Sequence, residues 1–165
     1  GALGQAPMYQ PVDPAVCAVE LPGVQLEPVE LEATSPWGIS MQASSRHFMY
    51  LPKLDTEKSL LEEITRTAAT CVGGGSGPDR LRFVLERIET NTFSDLSPAV
   101  STARVIVRVE RFRGDFSRFA SRRFDGAFRA PIGSTAFDEL LLAATRAALR
   151  EALEDTEFLS QGQGA

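Results

Sequence analysis

Thr102-Ala103-Arg104-Val105-Ile106-Val107-Arg108-Val109-Glu110-Arg111-Phe112 is the stretch that decides how this chain is read. Val105, Val107 and Val109 alternate with Arg104, Arg108 and Glu110. Period two puts all three valines on one side of an extended strand, whereas a helix would scatter them around its axis. A strand greased on one side and charged on the other belongs to an antiparallel sheet with one face on a core and one toward water.

Two more strands flank it in sequence. Residues 80–90 place Leu81, Phe83 and Leu85 on one face before the alternation slips between Glu86 and Ile88. Residues 116–128 place Phe116, Ala120, Phe124 and Phe128 together, but Arg118 and Arg122 share their parity, which leaves the face assignment ambiguous. Arg113-Gly114-Asp115 supplies a tight hairpin, and residues 91–101 a longer loop. Upstream, residues 24–31 form a strand interrupted by Pro28, which predicts an edge strand or a bulge. Residues 39–51 are extended around a break at Ser44-Ser45, as two short strands about a kink.

Two helices complete the pattern. The first is expected to start near Asp55 as N-cap and to end at Gly73. Leu60, Leu61, Ile64, Ala68, Cys71 and Val72 share its apolar stripe, with Glu62, Glu63 and Arg66 on or near the other side. The second follows Gly133, with Ser134 or Thr135 as cap and Thr135 with Asp138 as a short-armed capping box. Phe137, Leu141, Ala144, Ala148, Leu149, Ala152 and Leu153 form its apolar face, and Glu139, Arg146, Arg150 and Glu154 its exposed one. The expected fold is α+β: a two-layer sandwich, a mostly antiparallel sheet of four to five strands with two helices packed on one face.

The chain has 165 residues and a mass of 17.9 kDa, enough for one ordinary domain. Residues 1–22, with Pro7, Pro11, Pro14 and Pro22, read as an extended leader. Residues 23–159 form the single domain, and residues 160–165 a disordered tail. Hydrophobic residues at 43% and charged residues at 24% are ordinary for a globular protein, and no apolar run is long enough to span a membrane. Seventeen basic against 22 acidic residues give a net charge of −5, opposite in sign to the usual nucleic-acid binder. Residues 1–40 carry acids and no basic residue, while residues 100–130 carry eight arginines. Arginine on solvent-facing strand positions accounts for that excess. The opening Gly1-Ala2-Leu3-Gly4 lacks methionine and reads as the remnant of a removed tag, with a signal segment expected upstream.

Catalytic chemistry has little to stand on. The glycine run at residues 73–77 follows a helix and leads into Pro78-Asp79, so it lacks the Lys-Ser/Thr pair of a phosphate loop. His47 is the sole histidine and has no partner suggested by spacing. Glu62-Glu63 and Glu154-Asp155 fall on helix exteriors, where solvated carboxylates are the rule. No spacing fits a metal cage, and no cofactor is expected. Cys17 and Cys71 either form one disulfide or leave Cys71 reduced and buried on its helix. Trp37, Phe48 and Tyr50 sit in the least regular part of the domain, where they either line a groove for lipid or a partner or plug the end of the core.

In this order, the layout resembles the small lipoproteins of the Gram-negative envelope, in particular the auxiliary lipoproteins of ABC-type transport systems. The resemblance covers residues 24–159. It rests on the early strand at 24–31, on Arg46-His47-Phe48-Met49-Tyr50 ahead of the first helix, on the meander from 80 to 129, and on the alanine-rich closing helix entered through Ser134-Thr135. The chain departs from it in having a glycine connector where a further strand often follows helix one. It also lacks the lipobox cysteine, since Cys17 follows Ala15-Val16. The resemblance implies a non-catalytic periplasmic protein, anchored to the outer membrane only through a lipid absent from this sequence, with the leader as spacer. Its partner would be an envelope protein such as a transporter subunit, with no nucleic acid. The alternative is a small hydrophobic-ligand or lipid-binding protein. Candidate binding residues are Trp37, Arg46, Phe48 and Tyr50.

Overall fold

Val105, Val107 and Val109 are fully buried, and the sheet is built around them. The computed structural model describes residues 6–32, 47–49, 54–72, 75, 77–93, 97, 99–114 and 117–160. In chain order these form β1 (Gln25–Leu26), β2 (Glu30–Leu31), β3 (His47–Met49), α1 (Leu54–Cys71), β4 (Asp79–Phe93), β5 (Val100–Arg113), β6 (Ser117–Pro131), α2 (Phe137–Glu154) and α3 (Thr156–Ser160). The fold is α+β, an open sheet with two main helices.

Strands β4, β5 and β6 form an antiparallel meander with β5 in the middle. Val107 lies opposite both Leu85 and Phe124. The alternation slip in the sequence is a bulge: the β4–β5 register shifts between Leu85 and Arg87. One extra residue lets Leu85 and Ile88 both point into the core and leaves Glu86 facing outward. The far edge of β4 takes three short strands. β1 and β2 pair parallel to it on either side of Pro28, as expected of an interrupted edge, and β3 pairs antiparallel at Asn91–Phe93.

A second irregularity, between Arg111 and Phe112, resolves the ambiguous face of β6. It sends Arg118 to the open side of the sheet, while Phe124 and Phe128 stay in the core. Arg122 remains on the helix side, with its guanidinium over the Phe158 ring.

Both helices cover the valine face. Leu60, Ile64, Ala68 and Cys71 of α1 join Leu141, Ala144, Ala148, Leu149 and Ala152 of α2 in one cluster with the sheet. Alanine permits α2 to lie very close to β6. A Cβ at Gly126 would stand 2.8 Å from the Ala148 amide nitrogen and closer still to the Ala144 carbonyl oxygen.

Several local expectations need correction. Helix α1 starts at Leu54, so Asp55 lies within it. The N-cap of α2 is Ala136 with no side-chain cap, because the Ser134 hydroxyl donates to the Pro131 carbonyl and Asp138 accepts from Thr56. The short helix α3 is an addition. Arg111, 1% exposed, donates to the Phe158 and Leu159 carbonyls and thereby satisfies backbone acceptors that α3 cannot satisfy itself.

The leader is extended, but from residue 6 onward it is packed. Met8 bridges Arg129 at the outer edge of β6. The Val12 and Asp13 carbonyls accept from Arg146 and Arg150 on α2. Cys17 is disulfide-bonded to Cys71 at the end of α1, which settles the state of the two cysteines. Leu21 is buried and bridges Val72 before the chain enters β1. The leader is thus a strap that runs from one edge of the sheet, over the helices, to the other edge. With the cysteines 54 positions apart in sequence, the loop-closure model gives the bond a stabilisation on the order of 4 kcal/mol.

Gly126→Ala is expected to force α2 away from β6 and to cost about 1–3 kcal/mol in stability, read as a lower urea midpoint with an unchanged slope.

Candidate functional site

Charged side chains on the face of the sheet away from the helices form a lattice of neighbouring ion-pair clusters. It begins with β5, whose outward residues are Arg104, Arg108 and Glu110. Because β5 is flanked on both sides, these groups meet neighbours from β4 and β6 before they meet water. The Glu110 side chain is only 2% exposed and is held by three arginines: Arg82 at 2.8 Å, Arg118 at 2.9 Å and Arg108 at 3.6 Å. Arg108 in turn touches Glu32 of the β2 edge and Glu86 of the β4 bulge. Glu86 also accepts from Arg123 of β6 at 2.8 Å. Arg104 makes a two-pronged contact with Asp125. Arg80 pairs with Glu27, and Arg82 reaches Glu30 at 3.2 Å.

The aromatic Phe112 is buried on this open face, under the guanidinium groups of Arg80 and Arg82 at 5.3 and 4.7 Å from the ring centre. Arginine stems thus cover apolar surface here while their charged ends stay in the lattice.

Electrostatics follow the geometry. Burial alone would raise the Glu110 carboxyl, but hydrogen bonds from Arg118 and Arg82 and the charges of Arg82 and Arg108 outweigh it, so it sits below its ordinary value of 4.5. The hydrogen bond with Arg108 likewise lowers Glu32. Arg108 is raised above its ordinary value, mainly by that same bond. Asp155 would be raised by burial. The Phe158 amide and Arg122 bring it below its ordinary value.

The lattice is polarised from edge to edge. Its acidic end is the β1–β2 side, with Glu27, Glu30 and Glu32. Its β6 end carries Arg118 and Arg123 together with Asp125. The central groups are paired with one another, and the rim groups, though also paired, are the more exposed: the side chains of Glu30 and Glu32 at one end are 53% and 52% exposed, and those of Arg118 and Arg123 at the other 56% and 65%. Beside β6 lies a groove of about 490 Å³ whose charged lining is Glu89, Arg104, Asp125 and Glu151, with Ala6 and Pro7 of the strap at its border.

Of the candidate binding residues, Trp37, Arg46 and Tyr50 lie outside the described residues. Phe48 lies in β3, its backbone opposite Thr92. The groove that Trp37, Phe48 and Tyr50 were expected to line falls mostly among residues outside the described ones. Two carboxylate pairs differ from expectation. Glu63 is 1% exposed and paired with Arg66 and Arg146, and Asp155 is paired with Arg122, so of these four acids Glu62 and Glu154 alone lack an ion-pair partner among the described residues. Arg146 accordingly lies between the helices and the strap instead of on an exposed face. The signal for Glu63 was its position one residue before Ile64, at the border of the apolar stripe. For Glu110, alternation gave the face, but neighbour identity decided its burial.

The lowered carboxyls set an acid limit. A carboxyl held below its unfolded value stabilises the fold at pH above that value, and the stabilisation disappears as pH falls through the folded value. Stability should therefore be flat above about pH 5 and decline below it. Glu110→Gln should cost about 1–3 kcal/mol at pH 7 and less at pH 3, so that its urea midpoint falls less steeply with acid than that of the parent.

No family model matches the chain, and no curated protein matches it.

Proposed function

We propose that this protein is a non-catalytic accessory component of a cell envelope, working by protein–protein contact in the manner of the auxiliary lipoproteins of ABC-type lipid transport. The observation that carries this reading is the Cys17–Cys71 disulfide. Disulfides form and persist where the environment is oxidising, such as the periplasm, and are rare in a reducing cytosol. This one fastens a strap across both helices, so it bears on the whole fold. The charged lattice adds support. Arginines hold the Glu110 and Glu32 carboxyls below their ordinary values, which suits a surface that recognises other charges better than one that moves protons.

In intact source cells, Cys17 and Cys71 are expected to resist alkylation until a reductant is added, and the protein is expected to copurify with transporter subunits from envelope extracts. Free thiols in untreated cells, or recovery with cytosolic partners alone, would overturn the proposal.

A further inference from the structure

The strap divides at Cys17 into two halves that are held very differently. Downstream, Leu21 and Val24 are 1% and 2% exposed. The Leu21 N–H donates to the carbonyl of Cys71 itself at 3.1 Å, and the Gly77 N–H donates to the Gly23 carbonyl at 3.1 Å. A Cβ at Gly75 would stand 2.2 Å from the Gly23 Cα, so the glycine connector closes directly on this half. Upstream, residues 7–16 bury only Ala15 and leave Met8 and Val16 exposed. Their ties are the two backbone bonds at Arg129 and the Arg146 and Arg150 guanidinium groups on the Val12 and Asp13 carbonyls. From Pro14 to Glu20 no hydrogen bond reaches the domain among the described residues, and the disulfide is the tie.

The downstream half prepares that bond. Leu21 is fixed beside Cys71 and Val72, and Cys17 lies four residues before it, so at about 3.3 Å per residue the two cysteines stay within about 13 Å of each other before any bond forms. The upstream half has no such support. One buried alanine, half-buried Tyr9, Val12 and Val19, and a few surface hydrogen bonds return less than the ordering of residues 7–20 costs, until a covalent tie has fixed the middle of the stretch.

We propose that the strap is an oxidation-gated closure: the reduced chain folds with residues 7–20 free, and formation of the Cys17–Cys71 bond lays them on α2 and the end of β6. The oxidant is a dithiol–disulfide oxidoreductase. Cys17, on the free segment, is the mobile thiol. Its thiolate attacks the oxidoreductase disulfide, forming a mixed disulfide and expelling one thiolate. The Cys71 thiolate then attacks the Cys17 sulfur and expels the other. Two electrons pass to the oxidoreductase, which leaves as the dithiol with the two protons given up by Cys17 and Cys71. The strap is thus open in a reducing compartment and closes in an oxidising one. Only the source of the oxidant rests on the envelope reading above.

The test compares the full chain, isotope-labelled and purified, in its reduced and oxidised forms. Amide order parameters at Tyr9, Val16, Ala18 and Val19 should lie below about 0.6 in the reduced chain and rise to about 0.85 on oxidation, while Leu21 and Val107 stay near about 0.85 in both. Cys71→Ser, mixed with the oxidised oxidoreductase, should accumulate a mixed disulfide on Cys17, and Cys17→Ser should trap about tenfold less. Both variants are permanently open forms and should reproduce the order parameters of the reduced chain. Rigid Tyr9 and Val19 in the reduced chain would overturn the proposal, because the strap would then dock without the bond. Loss of order at Leu21 and Val107 together with the strap would also overturn it, because the bond would then hold the whole domain. Equal or greater trapping by Cys17→Ser overturns the order of attack. Each of these outcomes leaves the envelope assignment standing, since that assignment fails on thiol accessibility in cells and on copurification instead.

Discussion

A strand in the middle of a sheet cannot turn its charges to open water, and β5 carries Arg104, Arg108 and Glu110 in that position. Its valine face commits these groups to the opposite face, between β4 and β6. A carboxylate as buried as Glu110 is tolerable only when paired and hydrogen-bonded. The surrounding structure meets that demand from three strands at once, with Arg82, Arg108 and Arg118. Both irregularities in the sheet serve the same end. The shift at Leu85/Arg87 presents Glu86 to Arg108 and Arg123, and the shift at Arg111/Phe112 brings Arg118 round to Glu110. The twofold demand of β5, apolar beneath and charge-matched above, thereby orders the whole sheet.

The helical layer is held from both sides. Beneath it lies the valine face, with Gly126 admitting the α2 backbone, and above it runs the strap from Met8 to Leu21. The strap has few large apolar residues of its own. It is fastened by a disulfide at α1, by arginines of α2 that donate to its carbonyls, and by short backbone pairings at its two ends. Such fastening suits a proline-rich segment, which has lost amide donors but keeps its carbonyl acceptors.

Much of this architecture could be read from residues alone. Val105, Val107 and Val109 gave β5 its polarity, the slip at Glu86 to Ile88 marked a bulge, and Pro28 marked a broken edge. Alternation and helical periodicity are local properties, so they survive in the sequence. The candidate site was less legible. The aromatic and arginine positions at Trp37, Arg46 and Tyr50 lie outside the described residues, while the face that the structure brings forward was assigned only as arginine-decorated strand. Glu63 looked like a solvated helix acid because its own helix says nothing about Arg146, 83 positions away. Arg111 had no local signal for its role, since the carbonyls it satisfies belong to a helix that the pattern did not suggest.

By itself the sequence determined the class, the order of the elements and which side of each regular strand is apolar, because those depend on the spacing of neighbours along the chain. The tertiary structure decided which charges are buried, whether the two cysteines join, and that a proline-rich leader becomes a strap. Each of those depends on groups that meet only after the chain has folded back on itself, where the free energy of pairing is set by distance and dielectric and not by position in the sequence.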